Sequence, residues 1–145
     1  MKKLLFFSAV ILLFLSACCD KKSCDGAIPS ILPYGFDTTD MYSAVIERYG
    51  ANSDFEERID SFPLNATRFP SDGPITYSYD FQSGIDYKIT FKESGKEFRI
   101  TNVLLEQGVC DHCTFNMYGE TYYDYFTRCR VNGVLQFGSL ELHSQ

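Results

Sequence analysis

Ile75-Thr76-Tyr77-Ser78-Tyr79-Asp80-Phe81-Gln82-Ser83-Gly84-Ile85-Asp86-Tyr87-Lys88-Ile89-Thr90-Phe91 alternates apolar and polar residues on both sides of a Gln-Ser-Gly break. A period of two belongs to a strand with one apolar face, so the stretch reads as two strands joined by a turn. With Gln82-Ser83-Gly84 as a three-residue loop and Gly84 left-handed, Phe81 faces Ile85, Tyr79 faces Tyr87, Tyr77 faces Ile89 and Ile75 faces Phe91. Every pair is apolar. Ser94-Gly95 as a two-residue loop then sets Phe91 against Phe98 and Ile89 against Ile100, with Lys92 against Glu97 and Glu93 against Lys96. A one-residue slip would carry those charges into the core, so the pattern specifies its register. Further on, Gly119-Glu120 is read as a third hairpin turn and Asn132-Gly133, the strongest short hairpin signal in the chain, as a fourth. The expectation is an antiparallel meander of about six strands near residues 75-81, 85-92, 97-103, 110-118, 121-131 and 134-142.

Upstream, the period is helical. Thr38, Thr39 or Asp40 can cap a helix carrying Met41, Ala44, Val45 and Tyr49 on one side, with Gly50 placed to end it. Ser53-Asp54-Phe55-Glu56 has the form of a capping box, Phe55, Ile59 and Phe62 share a face, and Pro63 stops the run. Asp54, Glu56, Glu57 and Asp60 lack the spacing and central glycine of a calcium loop and read as a solvated face. A sheet with one apolar face needs a cover. The fold class expected is therefore α+β, two short N-terminal helices packed on the meander, with a lipocalin-like curved barrel as the alternative.

The first eighteen residues are of another kind. Lys2-Lys3 precede an apolar run of twelve residues, Leu4 to Leu15, too short to cross a bilayer core that needs roughly 20. Leu15-Ser16-Ala17-Cys18 resembles the lipobox of bacterial lipoproteins. The resemblance implies that the chain is cut before Cys18 and that Cys18 carries lipid. It divides the chain into a signal peptide over 1-17, a tether over 18-36 and a single globular domain over 37-145, in the cell envelope and, because Cys19 rather than aspartate follows Cys18, at the outer membrane. Losing Lys2 and Lys3 takes the basic residues from 13 to 11 against 19 acidic ones. That balance excludes nucleic acid as the expected partner and leaves membrane attachment to the lipid rather than to surface charge.

The cysteines are the one chemical constellation. A literal Gly119-Glu120 turn places Cys110 opposite Cys129 at the spacing a disulfide requires, in a compartment that permits one. Cys113 points to the other face of its strand, left to pair with Cys24 or Cys19 or to remain free. Cys110-Asp111-His112-Cys113 has the spacing of a thiol oxidoreductase without the helix N-terminus or cations that lower a thiol pKa. Cys110, Cys113, Cys129 and His143 would make a three-cysteine, one-histidine zinc set, with oxidation competing for the thiols. The expectation is neither metal nor cofactor. His112 and His143 are the only histidines, and neither a nucleophile elbow nor HExxH occurs, so no enzyme is expected.

Tyr122, Tyr123, Tyr125 and Phe126 put aromatic residues on both faces of the strand from Thr121, with Tyr118 at the end of the strand before it. They read either as a strand buried on both sides or as a tyrosine-rich contact patch. The function expected is a lipid-anchored, non-enzymatic protein-binding module of the envelope: an assembly accessory, an inhibitor, or an immunity or exclusion factor. The alternative is a carrier of a small apolar ligand, its pocket walled by Tyr77, Tyr79, Tyr87 and Phe91.

Overall fold

The helical stripe expected from Met41 to Tyr49 breaks at Ser43. Helix α1, Thr38–Tyr42, lasts little more than one turn, and Ala44–Gly50 continues as a strand. Ile46 gives the reason. It lies off the helical stripe but follows Ala44 at a period of two, both are buried, and Val45-Ile46 are β-branched. The supposed second helix is a turn and an edge strand instead: Asn52, Asp54 and Phe55 all have positive φ, which no helix allows, and Arg58–Pro63 pairs antiparallel with the strand before it.

The computed structural model describes residues 20–21, 28–68, 73–109, 111–112 and 122–144. Along the chain the strands are β1 Asp20–Lys21, β2 Ser30–Tyr34, β3 Ala44–Gly50, β4 Arg58–Pro63, β5 Ala66–Arg68, β6 Ile75–Ser78, β7 Ile85–Phe91, β8 Lys96–Val109, β9 Asp111–His112, β10 Tyr122–Val131, β11 Val134–Phe137 and β12 Leu140–His143. One compact unit comprises residues 1–25 and 107–123; in it Asp20 and Lys21 of β1 pair antiparallel with His112 and Asp111 of β9. The other comprises residues 26–106 and 124–145. It is built on a six-stranded sheet in the order β11-β10-β8-β7-β3-β4 and a four-stranded sheet in the order β12-β2-β6-β5. The α+β expectation is thus overturned. The fold is mostly β, a curled half-barrel of two sheets rather than helices on a meander or a closed lipocalin-like barrel. Ser30–Tyr34, inside the stretch read as a tether, is a strand of the second sheet with Ile31 fully buried.

The Gln82-Ser83-Gly84 hairpin does not form. β6 pairs with β2 and β5, whereas β7 pairs with β3 and β8, so residues 79–84 cross from one sheet to the other. One expected facing pair, Tyr79 with Tyr87, is nonetheless met, while Tyr77 finds Phe91 in place of Ile89. Tyr79 meets Tyr87 with ring centroids 5.7 Å apart and Tyr77 meets Phe91 at 6.3 Å, both edge to face. These side chains pack between sheets instead of lying side by side on a ladder. Two sheets need such a filling, and Tyr77, Phe81, Tyr87 and Phe91 with Ile31, Ile46, Ile89, Ile100, Leu140 and Leu142 supply it.

β7 and β8 do form a hairpin, but their register is two residues from the expected one: Phe91 faces Lys96 and Ile89 faces Phe98. The loop has four residues, Lys92 to Gly95, closed by Gly95 N–H donating to Phe91 O at 2.8 Å. A shift of two keeps every side chain on its face, which is why the core is unaffected. Asp40 supplies the reason for the longer loop. Its buried carboxylate accepts a hydrogen bond from Ser94 N at 2.7 Å. The next residue, Met41, accepts through its carbonyl from Tyr77 Oη at 2.5 Å. Helix α1 therefore clasps a turn of one sheet to a core tyrosine of the other.

Both buried phenols are satisfied, Tyr87 through Gln82, whose N–H donates to its oxygen at 2.6 Å. Burial lifts the Tyr87 phenol to about 12 and raises Tyr77 as well. Their stabilising effect is complete below the ordinary phenol value of about 10 and is lost as pH rises through the folded value. A tyrosinate absorbance titration should therefore show ionisation of these phenols coinciding with unfolding near pH 12. Ionisation at pH about 10 with the fold intact would contradict their packing. In denaturant titrations Phe91→Ala should cost about 3–5 kcal/mol and Tyr77→Phe about 1 kcal/mol.

Candidate interaction surface

Asn132-Gly133 makes the turn that its sequence implies. Both residues have positive φ, 48° and 83°, as a type I′ turn demands. Val131 lies opposite Val134 and Cys129 opposite Gln136. Asn132 also ties the hairpin to β8: its N–H donates to Arg99 O and its Oδ1 accepts from Arg99 N, each at 2.8 Å. The strand expected over 134-142 is interrupted at Gly138, φ 72°, after which β12 joins the other sheet parallel to β2. The Gln136 amide holds this corner, donating to Glu141 O at 2.9 Å and accepting from Glu141 N at 2.8 Å.

In a two-residue hairpin the pair flanking the turn exchanges both hydrogen bonds and the next pair exchanges none. Val134 and Gln136 therefore direct their backbone groups at β10, and Leu135 and Phe137 direct theirs away. Since β11 ends the sheet, the outward groups of Leu135 meet no further strand among the described residues.

The two edges of the sheet differ. β4 carries Arg58, Asp60 and Pro63, the residue types that blunt an edge. Arg48 of the neighbouring strand grips Asp60 with two nitrogens, one of them Nε on Oδ1 at 2.7 Å. Hydrogen bonding to Arg48 lowers the Asp60 pKa. Behind β4 the outer face is laced across β4, β3, β7 and β8 by Arg58–Glu47 at 3.0 Å, Glu47–Lys88 at 2.9 Å and Lys88–Glu97 at 3.6 Å. Burial works to raise the Glu47 pKa, but hydrogen bonds from Lys88, Arg58 and Tyr49 outweigh it and the net shift is downward. This is structural ion pairing. β11, Val-Leu-Gln-Phe, has no charge and no proline, and Val134, Leu135 and Phe137 are 66 %, 42 % and 64 % exposed.

A groove borders each face of β11. One, of about 520 Å³, is lined by apolar Phe98, Val131 and Val134 and by polar and charged residues that include Lys96, Glu97 and Glu141. The other, of about 430 Å³, is lined by Asn102, Val103, Leu104, Arg128, Arg130 and Leu135. Asn102 shapes the second. At φ 54° it is a left-handed residue inside β8, and Ile100 and Val103 on either side of it, an odd number of residues apart, are both buried. Arg130 donates to Gly133 O at 2.8 Å. Arg128 is exposed and has no ion pair among the described residues.

The residues singled out from sequence are distributed differently. Phe126 is core, its ring 5.9 Å from Phe81. Tyr125 is half-buried and donates to Glu106 at 3.0 Å. Tyr123 lies so close over Gly108 that a Cβ there would come within 3.0 Å of its ring. Tyr118, the Tyr122 side chain and Cys18, Cys24, Cys110 and Cys113 lie outside the described residues. Cys129 is a free, fully buried thiol. The Gly119-Glu120 turn that would oppose it to Cys110 lies outside the described residues; among them β10 has β8 and β11 as its neighbours. His143 stacks on Tyr34 at 5.0 Å. The β11 edge went unnoticed in the sequence, although Val134-Leu135-Gln136-Phe137 shows the same sign as the tyrosine stretch, apolar residues on both faces.

No protein-family model, no curated protein and no solved structure matches the chain.

Burial pushes the Cys129 thiol up to about 12, so at neutral pH it is protonated and enclosed. In native protein a water-soluble maleimide should leave Cys129 unmodified, and denaturant should expose it. Rapid native labelling, or recovery of a Cys110–Cys129 crosslinked peptide under non-reducing conditions, would contradict this environment.

Proposed function

We propose that this chain is a lipid-anchored protein of the cell envelope, placed at the outer membrane, whose β domain is a non-enzymatic protein-binding module. The anchor reading rests on Leu15-Ser16-Ala17-Cys18. No described helix is long and apolar enough to cross a membrane. The binding reading rests on the β11 edge. Exposed apolar side chains on a strand with open backbone groups and no charge or proline form a template for another chain, and a protein that guards its opposite edge has reason to leave this one open. An assembly accessory, an inhibitor and an immunity or exclusion factor all need such a surface and no catalytic group.

Photocrosslinking residues placed one at a time at Leu135, Phe137 and Ile59 test the binding reading in intact cells. Adducts to protein are expected from the two β11 positions and not from Ile59 on the guarded edge. They should disappear on adding Leu135→Lys to the Phe137 probe. No β11 adduct, or equal adducts at both edges, would contradict it. For the anchor, Cys18→Ser should release the domain from membranes or leave it uncut, and normal membrane fractionation of this variant in high salt would defeat that part.

A further inference from the structure

We infer that the partner segment received by β11 is an extended strand whose carboxylates lie opposite Arg128 and Arg130; this rests on the binding reading above and names its chemistry. Cross-strand pairing sets Arg130 beside Leu135 and Arg128 beside Phe137 on one face. An added strand would lie about 4.8 Å from β11 and twice that from β10. A guanidinium on its long stem and a carboxylate reach across that gap over Leu135 and Phe137. Both arginines are exposed, and Arg128 has no counter-charge among the described residues, although the chain as a whole is acidic, −6. A second copy pairing its own β11 here would bring no carboxylate, because Val134–Phe137 carries none. The strand addition itself comes from the outward N–H and C=O of Leu135, while charge selects the sequence added.

The test uses the detergent-solubilised full-length lipoprotein and three capped ten-residue peptides: alternating Glu and Val, alternating Lys and Val, and Glu-Val with proline at alternate valines. The Glu-Val peptide should bind and slow amide exchange at Leu135. Its affinity should fall about tenfold in the Arg128→Gln/Arg130→Gln variant and also with added salt. The Lys peptide should not bind, and the proline peptide, whose proline rings break a regular strand, should bind far more weakly. Equal binding of the Lys and Glu peptides, or binding that leaves Leu135 exchange unchanged, would overturn the inference. So would a Leu135 amide already protected in peptide-free protein with concentration-dependent dimerisation, which would assign the edge to a second copy. If β11 photocrosslinks form in cells while the Glu-Val peptide fails, the acidic-strand inference falls and the binding reading stands. If the photocrosslinks fail, the binding reading itself falls.

Discussion

The two sheets are held by a filling of aromatic rings that neither sheet could bury alone. Tyr77 from one sheet, Phe91 and Tyr87 from the other, and Phe81 from the crossing between them lie edge to face at 4.9 to 6.3 Å. Such contacts add to hydrophobic burial because ring edges and faces carry opposite partial charge. Burying tyrosine carries the condition that each hydroxyl find a partner, and meeting it determines much of the remaining structure. Tyr77 requires the Met41 carbonyl, which requires helix α1 at that place. The same helix brings Asp40 to Ser94 and thereby sets the length of the β7–β8 loop.

Much of this was readable in the residues, though under another geometry. The period of two in 75–91 identified the apolar face and one facing pair of rings, Tyr79 with Tyr87, but not Tyr77 with Phe91 or Phe81 with Tyr87. It could not say whether they face across a ladder or across a core, because a side chain obeys the same alternation in both. The β7–β8 hairpin was readable to within a shift of two, since the alternative loops preserve the pleat. What decided between them was Asp40, more than fifty residues away. The helices failed for the complementary reason. A stripe such as Met41, Ala44, Val45 and Tyr49 satisfies helical spacing while Ile46 violates it, and a strand paired on both sides with β4 and β7 outweighs so short a local preference.

The candidate surface follows from the same topology. Because the chain turns at Gly138 and sends β12 to the second sheet, β11 has no further strand beyond it among the described residues. The sequence showed the Asn132-Gly133 turn but not this ending, because edge position is a property of the whole sheet. Aromatic content pointed instead to the tyrosine strand, where Phe126 serves the core and Tyr125 serves Glu106. The apolar residues left in the open are aliphatic as well as aromatic. They stand between a cationic groove and a polar one.

The most direct test of the two-sheet topology is a nuclear Overhauser spectrum of the backbone around β7. Contacts between the strands Ala44–Gly50 and Ile85–Phe91 are expected, with Ile46 opposite Ile89 and Arg48 opposite Tyr87. Between residues 75–81 and 85–91 side-chain rather than backbone contacts should appear, among them Tyr79 to Tyr87, Phe81 to Tyr87 and Tyr77 to Phe91. Backbone contacts pairing Tyr77 with Ile89 in a hairpin would contradict it. They would also give β3 a different place, and with it the order of strands that makes β11 an edge.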